Sequence, residues 1–434
     1  MRVERHRLGA RTLAPLAGLV LMTGCGLIAA QCQPPRPDQP PGDAPPPCGS
    51  VNLFADNFED DLIARGWNQH GVLQVVEQGG QLEIYPLDDV PGENQGGLYS
   101  KASMSLRDTS LVVELVWPAS AHDAAFACLQ FGPDEQRLVS ICQAGERLFA
   151  TNAAETDPNL AEIDISAEDS RFLQLREAGG LLFFETSRDG ASWEQLAQHP
   201  TPGFVDYGQI VLTAGTSAEV TGPATVAFDN LNRDLAPATW CPSSQLRDEF
   251  DGPLSLAWKV QTDGHNPCSA LIVEGQLQLS VEADQRYYCT VASTARYSLG
   301  GDSVSICIDE APTHVPEAFT GMLLWLPGDR SVAFGRLLDD LWMVVKDAQG
   351  LEDYTSYTAA AGRACLRVRG AHGGLRFEAR ATAAQRWEEV GAPEDLGDLG
   401  LDEVRVGFTV NHWGPSCCDS PLSLVARFDH YNQE

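Results

Sequence analysis

Basic residues are scarce in this chain, and their scarcity excludes one class of partner. The 434 residues include 29 Lys and Arg against 60 Asp and Glu, which gives a formal net charge of −31. Lysine occurs only at Lys101, Lys259 and Lys346, and the sequence has no basic cluster or aromatic platform typical of nucleic-acid binders. Such an acidic chain repels a polymer of phosphates, so nucleic acid is excluded as a partner.

Motifs of common enzyme classes are also missing. The nine histidines show no HxxxH or triad spacing, no GxSxG nucleophile elbow occurs, and no glycine-rich phosphate loop follows a strand. The cysteines form no short CxxC pairs with nearby histidines, which argues against a zinc site. The sequence therefore favours a noncatalytic protein.

The N-terminal apolar run is too short to cross a bilayer. It extends from Thr12 to Met22 and follows four arginines, which is the pattern of a secretory signal peptide. The run ends in residues that resemble the lipobox of bacterial lipoproteins: Leu21, Met22, Thr23, Gly24 and Cys25. This resemblance implies a signal peptide at 1–24, lipidation of Cys25 and, from Gly26, an outer-membrane or cell-surface address. Ordinary signal-peptidase cleavage after Ala30 is the alternative.

A proline-rich segment follows the signal peptide. All prolines of the segment 25–48 lie between Gln31 and Cys48. This composition favours an extended polyproline II conformation, which rises about 3.1 Å per residue and would hold the next domain roughly 50 Å from the anchor. We interpret residues 25–48 as a stalk, and the lipid as the only contact with the membrane.

The remainder of the chain contains the same module twice. The segment from Gly179 to Glu194 aligns without a gap on the segment from Gly373 to Glu388, and the shared positions are glycines and apolar residues. The starts and ends of the modules also match, as in the pair Phe228 and Phe428, each followed by Asp. These matches predict two domains at 49–235 and 240–434, each long enough to bury its own core. Positions that only one copy has are the candidates for specific function.

Both modules have the pattern of all-β domains. Short runs alternate apolar and polar residues, as at 111–117 and 304–308, and helical periodicity is nearly absent. Asp189 and Gly190 form a hairpin-turn signal between two such runs. About a dozen strands per module predict a two-sheet sandwich.

Eleven cysteines besides Cys25 in an exported chain indicate a disulfide framework. Cys128 and Cys142 flank a turn and would face each other across a hairpin, so we predict that they are bonded. Cys32 and Cys48 could close the stalk. The odd set of seven in the second module requires a free thiol, an interdomain bond such as one from Cys48, or an intermolecular bridge. That set is Cys241, Cys268, Cys289, Cys307, Cys365, Cys417 and Cys418.

The order of these motifs resembles the concanavalin A-like lectin/glucanase superfamily, and within it the laminin-G-like jelly rolls of bacterial surface proteins. The residues that carry the resemblance are Asp56-x-Phe58, Gly80-x-Leu82-x-Ile84, Gly179-Gly180-Leu181, Ser187-x-Asp189-Gly190-x-x-Trp193 and Phe228-Asp229-Asn230. It covers both modules and implies two tandem concanavalin A-like jelly-roll β-sandwiches. The superfamily includes glycan binders, adhesion modules and glycoside hydrolases, so the resemblance alone does not assign a function.

One acidic segment supports an enzyme alternative. Glu162, Asp164 and Glu168 resemble the Glu-x-Asp-x-x-Glu catalytic strand of the superfamily's glucanases, although the last Glu comes one residue late. Glycoside hydrolysis needs two carboxylates at a defined separation. The corresponding part of the second copy, 353–357, lacks these acids, and in a chain this acidic chance alone can produce the pattern. The catalytic assignment is therefore none, with these three residues as the alternative.

Tryptophans are candidates for ligand binding because aromatic rings stack on sugars. Trp67, Trp193, Trp258 and Trp387 are shared by both copies and are predicted to be core residues. The unshared residues Trp117, Trp325, Trp342 and Trp413 are the predicted ligand-binding residues.

Paired acids at the strand ends suggest a structural calcium ion. Calcium takes several oxygen ligands, and Asp56 would approach Asp229 if the first and last strands of the module are neighbours. The second copy offers Asp248 and Asp429. Hydrogen bonding within turns is the alternative role for these aspartates.

Together these features predict a lipid-anchored, disulfide-stabilised envelope protein that binds a glycan or surface polymer without catalysis. A glycoside hydrolase acting through the first module and a purely structural envelope component are the alternatives.

Overall fold

A computed structural model provides the structure of the two modules. It describes residues 49–71, 73–85, 94–116, 125–165, 171–217, 225–233, 235, 238–246, 248–262, 268–283, 287–312, 315, 318–338, 340–349, 352–357, 365–371, 374–382, 384–391, 400–412, 422–429 and 431–432. The predicted signal peptide, Cys25 and the proline-rich segment lie outside these residues. No helix in this part of the chain is both long enough and apolar enough to cross a membrane.

The first sandwich consists of fourteen strands within the described ranges. They are β1 (Trp67–Gly71), β2 (Gln74–Gln78), β3 (Gln81–Tyr85), β4 (Asn94–Ser100), β5 (Ser110–Val116), β6 (Ala125–Asp134), β7 (Arg137–Ala144), β8 (Arg147–Asn152), β9 (Asn159–Asp164), β10 (Phe172–Ala178), β11 (Leu181–Ser187), β12 (Glu194–Pro200), β13 (Gln209–Thr216) and β14 (Val226–Asp229). Short 3₁₀ helices at Val51–Leu53 and Gly203–Tyr207 accompany them.

The second sandwich repeats this number of strands. They are β15 (Trp258–Thr262), β16 (Cys268–Val273), β17 (Gln276–Ala283), β18 (Tyr287–Ser293), β19 (Ser303–Glu310), β20 (Ala318–Leu326), β21 (Arg330–Leu337), β22 (Asp340–Lys346), β23 (Glu352–Tyr357), β24 (Cys365–Ala371), β25 (Gly374–Arg380), β26 (Glu388–Gly391), β27 (Arg405–His412) and β28 (Leu422–Asp429). A 3₁₀ helix at Ser243–Gln245 precedes them.

Each sandwich has two seven-stranded sheets, and the strand orders of the two copies are the same. Sheet A has the order β1-β4-β13-β6-β7-β8-β9, and sheet B has the order β12-β11-β10-β5-β14-β3-β2. Sheet C (β15-β18-β27-β20-β21-β22-β23) and sheet D (β26-β25-β24-β19-β28-β17-β16) follow the same paths. The chain is therefore nearly all β and forms two jelly-roll-like sandwiches, with more strands per module than the sequence predicted.

Alternation of side chains places the core between the sheets. In β3, Leu82 and Ile84 are fully buried, whereas the residues between them are partly exposed. In the second sandwich, Phe334 of sheet C packs on Phe377 of sheet D with ring centroids 5.1 Å apart. One continuous apolar cluster lies inside each sandwich.

The predicted turn at Asp189 is present between β11 and β12. The Asp189 carboxylate accepts hydrogen bonds from the backbone N–H groups of Ala191 (2.9 Å) and Ser192 (2.7 Å), and these bonds lower its pKa to about 2. Gly190 has a φ of 73°, a conformation that favours glycine.

Three disulfides join described cysteines. Cys128 and Cys142 are register partners on β6 and β7, with their Cα atoms 4.1 Å apart, as the hairpin prediction required. Cys268–Cys289 links sheet D to sheet C, and Cys307–Cys365 joins neighbouring strands of sheet D. Cys241 is also disulfide-bonded, to a partner outside the described residues. The possible Cys32–Cys48 bond lies outside these residues, as do Cys417 and Cys418.

The two sandwiches contact each other within one compact unit. The backbone N–H of Ser103 donates to the carbonyl oxygen of Thr294 at 3.0 Å. Trp240 packs against the core of the first sandwich, and Tyr207 packs against the core of the second. Each sandwich therefore contributes an aromatic residue to the packing of the other.

Candidate functional site

The aspartates proposed as calcium ligands have structural partners. Asp56 accepts hydrogen bonds from the indole Nε1 of Trp67 and the backbone N–H of Phe58, both at 3.0 Å. Burial raises the pKa of Asp56. Its bridge to Leu231 confirms that the first and last segments of the module are neighbours.

The second sandwich repeats this arrangement. Asp248 accepts from Trp258 Nε1 and from the Phe250 N–H, both at 2.9 Å. Phe58 and Phe250 have φ values of 51° and 52°, a strained conformation for a bulky residue that the aspartate stabilises. The repeated Asp-x-Phe and Trp motif is thus explained by local structure.

The remaining predicted calcium ligands do not complete a cation site. Asp229 ends β14, and its carboxylate accepts from the N–H of Asn230 at 2.6 Å. Asp429 ends the equivalent strand β28. Within the described ranges, no group of three or more His, Cys, Asp or Glu side chains gathers as metal ligands. The donor set of these aspartates fits hydrogen bonding better than cation binding.

A buried acid near Asp56 was not identified from the sequence. Glu77 on β2 is 7% exposed; its Oε1 accepts from the Asp60 N–H at 3.1 Å, and its Oε2 has no partner among the described residues. Burial and the nearby acids raise the pKa of Glu77 to about 7. The alternation of apolar and polar residues could not identify Glu77 as buried, because alternation assigns polar residues to the exposed face and Glu77 faces inward.

Two of the predicted ligand-binding tryptophans lie on the outer face of sheet C. Met322 and Leu324 on β20 belong to the core, so Trp325 faces outward; by the same alternation, Trp342 faces outward between Leu341 and Met343 on β22. Both indoles are half-buried. Trp117 and Trp413 lie outside the described residues.

Trp342 lies beside two positions of the outer face that have no side chain. It is the register partner of Gly335, which pairs in turn with Gly321. The ring of Phe319 covers Gly335, where an added Cβ would lie 2.5 Å from Phe319 Cζ. The glycine pair thus allows one aromatic ring to lie flat next to Trp342.

This aromatic pair belongs to an apolar cluster outside the core. Phe319, Ala333 and Val344 are buried in it, and Trp342 packs against it together with Leu323 and Leu337. The outer face of a sheet is normally polar. Trp325, on the same face, lies over Gly407, and the Arg405 guanidinium is 5.3 Å from its ring centroid.

The shared tryptophans divide into two pairs, and the core prediction was wrong for one of them. Trp67 and Trp258 are buried, with 4% and 5% exposure. Trp193 and Trp387 are half-buried and belong to neither core cluster. Trp387 lies between the guanidinium groups of Arg367 and Arg380, at 4.5 and 4.1 Å from its ring centroid.

The acids of the enzyme alternative lie on the edge strand of sheet A. Glu162 and Asp164 share one side of β9, and both are exposed. The Glu162 carboxylate pairs with Arg147 at 2.9 Å and keeps 43% of its side chain exposed. Glu168 lies outside the described residues.

Comparisons with known proteins do not assign the chain to a family. No family model and no curated protein matches the chain. Among solved structures it is similar to SCLam, a non-specific endo-β-1,3(4)-glucanase from family GH16, with 11% identity over 42% of this chain and 88% of that chain and a TM-score of 0.32.

It is also similar to two further solved structures. The Emp47p carbohydrate recognition domain matches with 14% identity over 42% of this chain and 96% of that chain, at a TM-score of 0.29. The Ca²⁺-bound exoplasmic/lumenal domain of VIP36 matches with 13% identity over 41% and 89%, also at 0.29. These neighbours are jelly-roll, concanavalin A-like structures, and at such scores they carry no argument about activity.

Proposed function

We propose that this protein is exported to the bacterial envelope, is anchored there by a lipid on Cys25, and binds a glycan or another surface polymer without cleaving it. The signal sequence, the lipobox-like residues and the proline-rich stalk support the anchoring. The outer membrane or cell surface is the proposed address, and the two sandwiches are the proposed products of one duplicated module.

One observation carries the binding proposal. Trp342 stands half-buried beside the Gly321–Gly335 pair, on an apolar cluster that lies outside the core. A sugar ring has apolar C–H faces that stack on an indole and hydroxyl groups that remain hydrated, so it fits a flat aromatic surface. Trp325 on the same face would extend this surface along a polymer.

A glycan array tests the proposal on the mature chain, solubilised in detergent, with and without calcium. We expect binding to at least one polysaccharide, strongly reduced in Trp342→Ala. The matched control is Trp387→Ala, which removes a half-buried indole of the same sandwich from the opposite sheet. Equal binding by the wild type and Trp342→Ala would reject this site, and absence of all binding would favour a structural envelope component.

The hydrolase alternative has its own assay. The assay measures release of reducing ends from β-glucans. If the wild type is active and a Glu162→Gln and Glu168→Gln double variant is not, the protein is a hydrolase and the binding proposal is wrong. An inactive wild type on a broad panel of glycans would remove the alternative.

A further inference from the structure

A second candidate site lies on the first sandwich, on the outer face of sheet B. A hollow of about 690 Å³ opens there over β5 and β10, next to the β11–β12 turn. Its lining includes Glu114, Phe172, Gln174, Asp189 and Trp193. Its volume is within the range of small-molecule sites.

Gln174 supplies an unused acceptor in this hollow. Its side chain is 6% exposed, and its Oε1 has no hydrogen-bond partner in the described part of the chain. Buried amide oxygens are nearly always hydrogen-bonded in folded proteins. This buried oxygen belongs to a side chain that lines the hollow, so it is the acceptor that a ligand with a hydrogen-bond donor would satisfy.

The buried charge in the hollow is already balanced. Glu114 is 3% exposed and accepts hydrogen bonds of 2.6 Å from Arg171 Nε and from Asn230 Nδ2. Arg233 donates in turn to Asn230 Oδ1 at 2.8 Å. A charged ligand would find no buried counter-ion without breaking these bonds, so the hollow favours a neutral ligand.

The equivalent position of the second sandwich carries different side chains. Strand register places Cys307 and Cys365 where the first copy has Glu114 and Phe172, and these cysteines are bonded to each other. Register likewise places Arg367 at the position of Gln174.

The Arg367 guanidinium forms an ion pair and also contacts an aromatic ring. It pairs with Glu378, and its guanidinium stacks on Trp387, the counterpart of Trp193.

Strand register shifts the ungapped sequence match of β11 on β25 by one residue, because Phe184 and not Phe183 occupies the buried position of Phe377. The glutamate at the Glu378 position is therefore Glu185, which pairs with Arg176 instead. The fold therefore does not require these polar groups, and in the first sandwich the buried amide oxygen of Gln174 has no hydrogen-bond partner among the described residues.

We propose that this hollow binds one neutral polyhydroxylated ring, such as a terminal pyranose. A ring hydroxyl donates to Gln174 Oε1, and the apolar face of the ring packs against Trp193 and Phe172. This site is on a different sandwich from the sheet C face and does not depend on that proposal.

Ligand-observed NMR and calorimetry on the mature chain test the proposal with methyl glycosides of glucose, galactose, mannose and N-acetylglucosamine. We expect at least one to bind, about tenfold or more weaker in Gln174→Arg, which introduces the second copy's residue. Trp193→Ala should weaken binding similarly and serves if the arginine prevents folding. Trp387→Ala, the matched control, and Trp342→Ala should bind like the wild type.

Three outcomes would overturn the proposal. They are no binding of any neutral glycoside, unchanged binding in both Gln174→Arg and Trp193→Ala, and tighter binding of glucuronate or glucosamine than of every neutral ring. Loss of polysaccharide binding in Trp342→Ala would concern the sheet C face alone, so failures of the two sites are distinguishable.

Discussion

The indole Nε1 of Trp67 donates a hydrogen bond of 3.0 Å to Oδ2 of Asp56. The second sandwich forms the same bond between Trp258 and Asp248. Each aspartate therefore holds a core tryptophan to the first segment of its sandwich. This role accounts for the presence of the pair in both sandwiches.

Replacing either aspartate tests this role. Asp56→Ala and Asp248→Ala each leave a buried indole N–H and a backbone N–H without their acceptor, which should lower the free energy of unfolding by about 1–3 kcal/mol. Urea denaturation followed by tryptophan fluorescence measures the change. A wild-type melting temperature that falls on adding a chelator, with no such fall in the variants, would instead support calcium binding at these aspartates.

Glu77 should make stability depend on pH. Its folded pKa, about 7, is above the ordinary value of 4.5, so the folded state retains the proton over this interval. Stability should therefore decrease as pH rises from about 4.5 to 7. Glu77→Gln should remove this decrease and raise the melting temperature at pH 8 by several degrees, with little effect at pH 4. Parallel melting curves for the two proteins across this range would contradict the assignment.

The glycine at position 335 should be irreplaceable. A Cβ there would lie 2.4 Å from the Thr320 carbonyl oxygen and 2.5 Å from the Phe319 ring, so Gly335→Ala must displace backbone as well as side chain. We expect a loss of about 1–3 kcal/mol or more and altered fluorescence of Trp342. Gly252→Ala, with no atom within 4 Å of an added Cβ, is the control and should be nearly neutral.

The disulfides should differ in their contribution according to the loop that each closes. Cys307–Cys365 spans 58 residues, and Cys128–Cys142 spans 14. The chain-entropy relation gives about 4 kcal/mol for the first and about 3 kcal/mol for the second. Paired Cys→Ser variants, compared by urea denaturation, should follow this order, and a reversed order would show that local packing outweighs loop length.

Local patterns were readable from the sequence because their partners are close along the chain. The Cys128–Cys142 bond and the Asp189 turn each lie within one hairpin, so spacing alone predicts them. Alternation identified strands such as β5 and β19 for the same reason. The pairing of Cys268 with Cys289 joins different sheets, and no local pattern distinguishes it from the alternatives.

The surface sites could not be found in this way. Trp193 and Trp387 were predicted to be core residues because both modules have a tryptophan at this position. In the structure, both tryptophans lie on the outer face of a sheet. The difference between Gln174 and Arg367 is meaningful only because sheet register places them at the same point. Register depends on pairing between distant strands, which a single sequence does not specify.

The crossed packing of Tyr207 and Trp240 has a consequence for how the molecule folds. Tyr207 belongs to the first sandwich but packs against the core of the second. Trp240 lies at the start of the second module but packs against the core of the first. A chain cut between them would expose an aromatic side chain on each fragment. Each sandwich should therefore be less stable alone than beside its neighbour, although each has its own core.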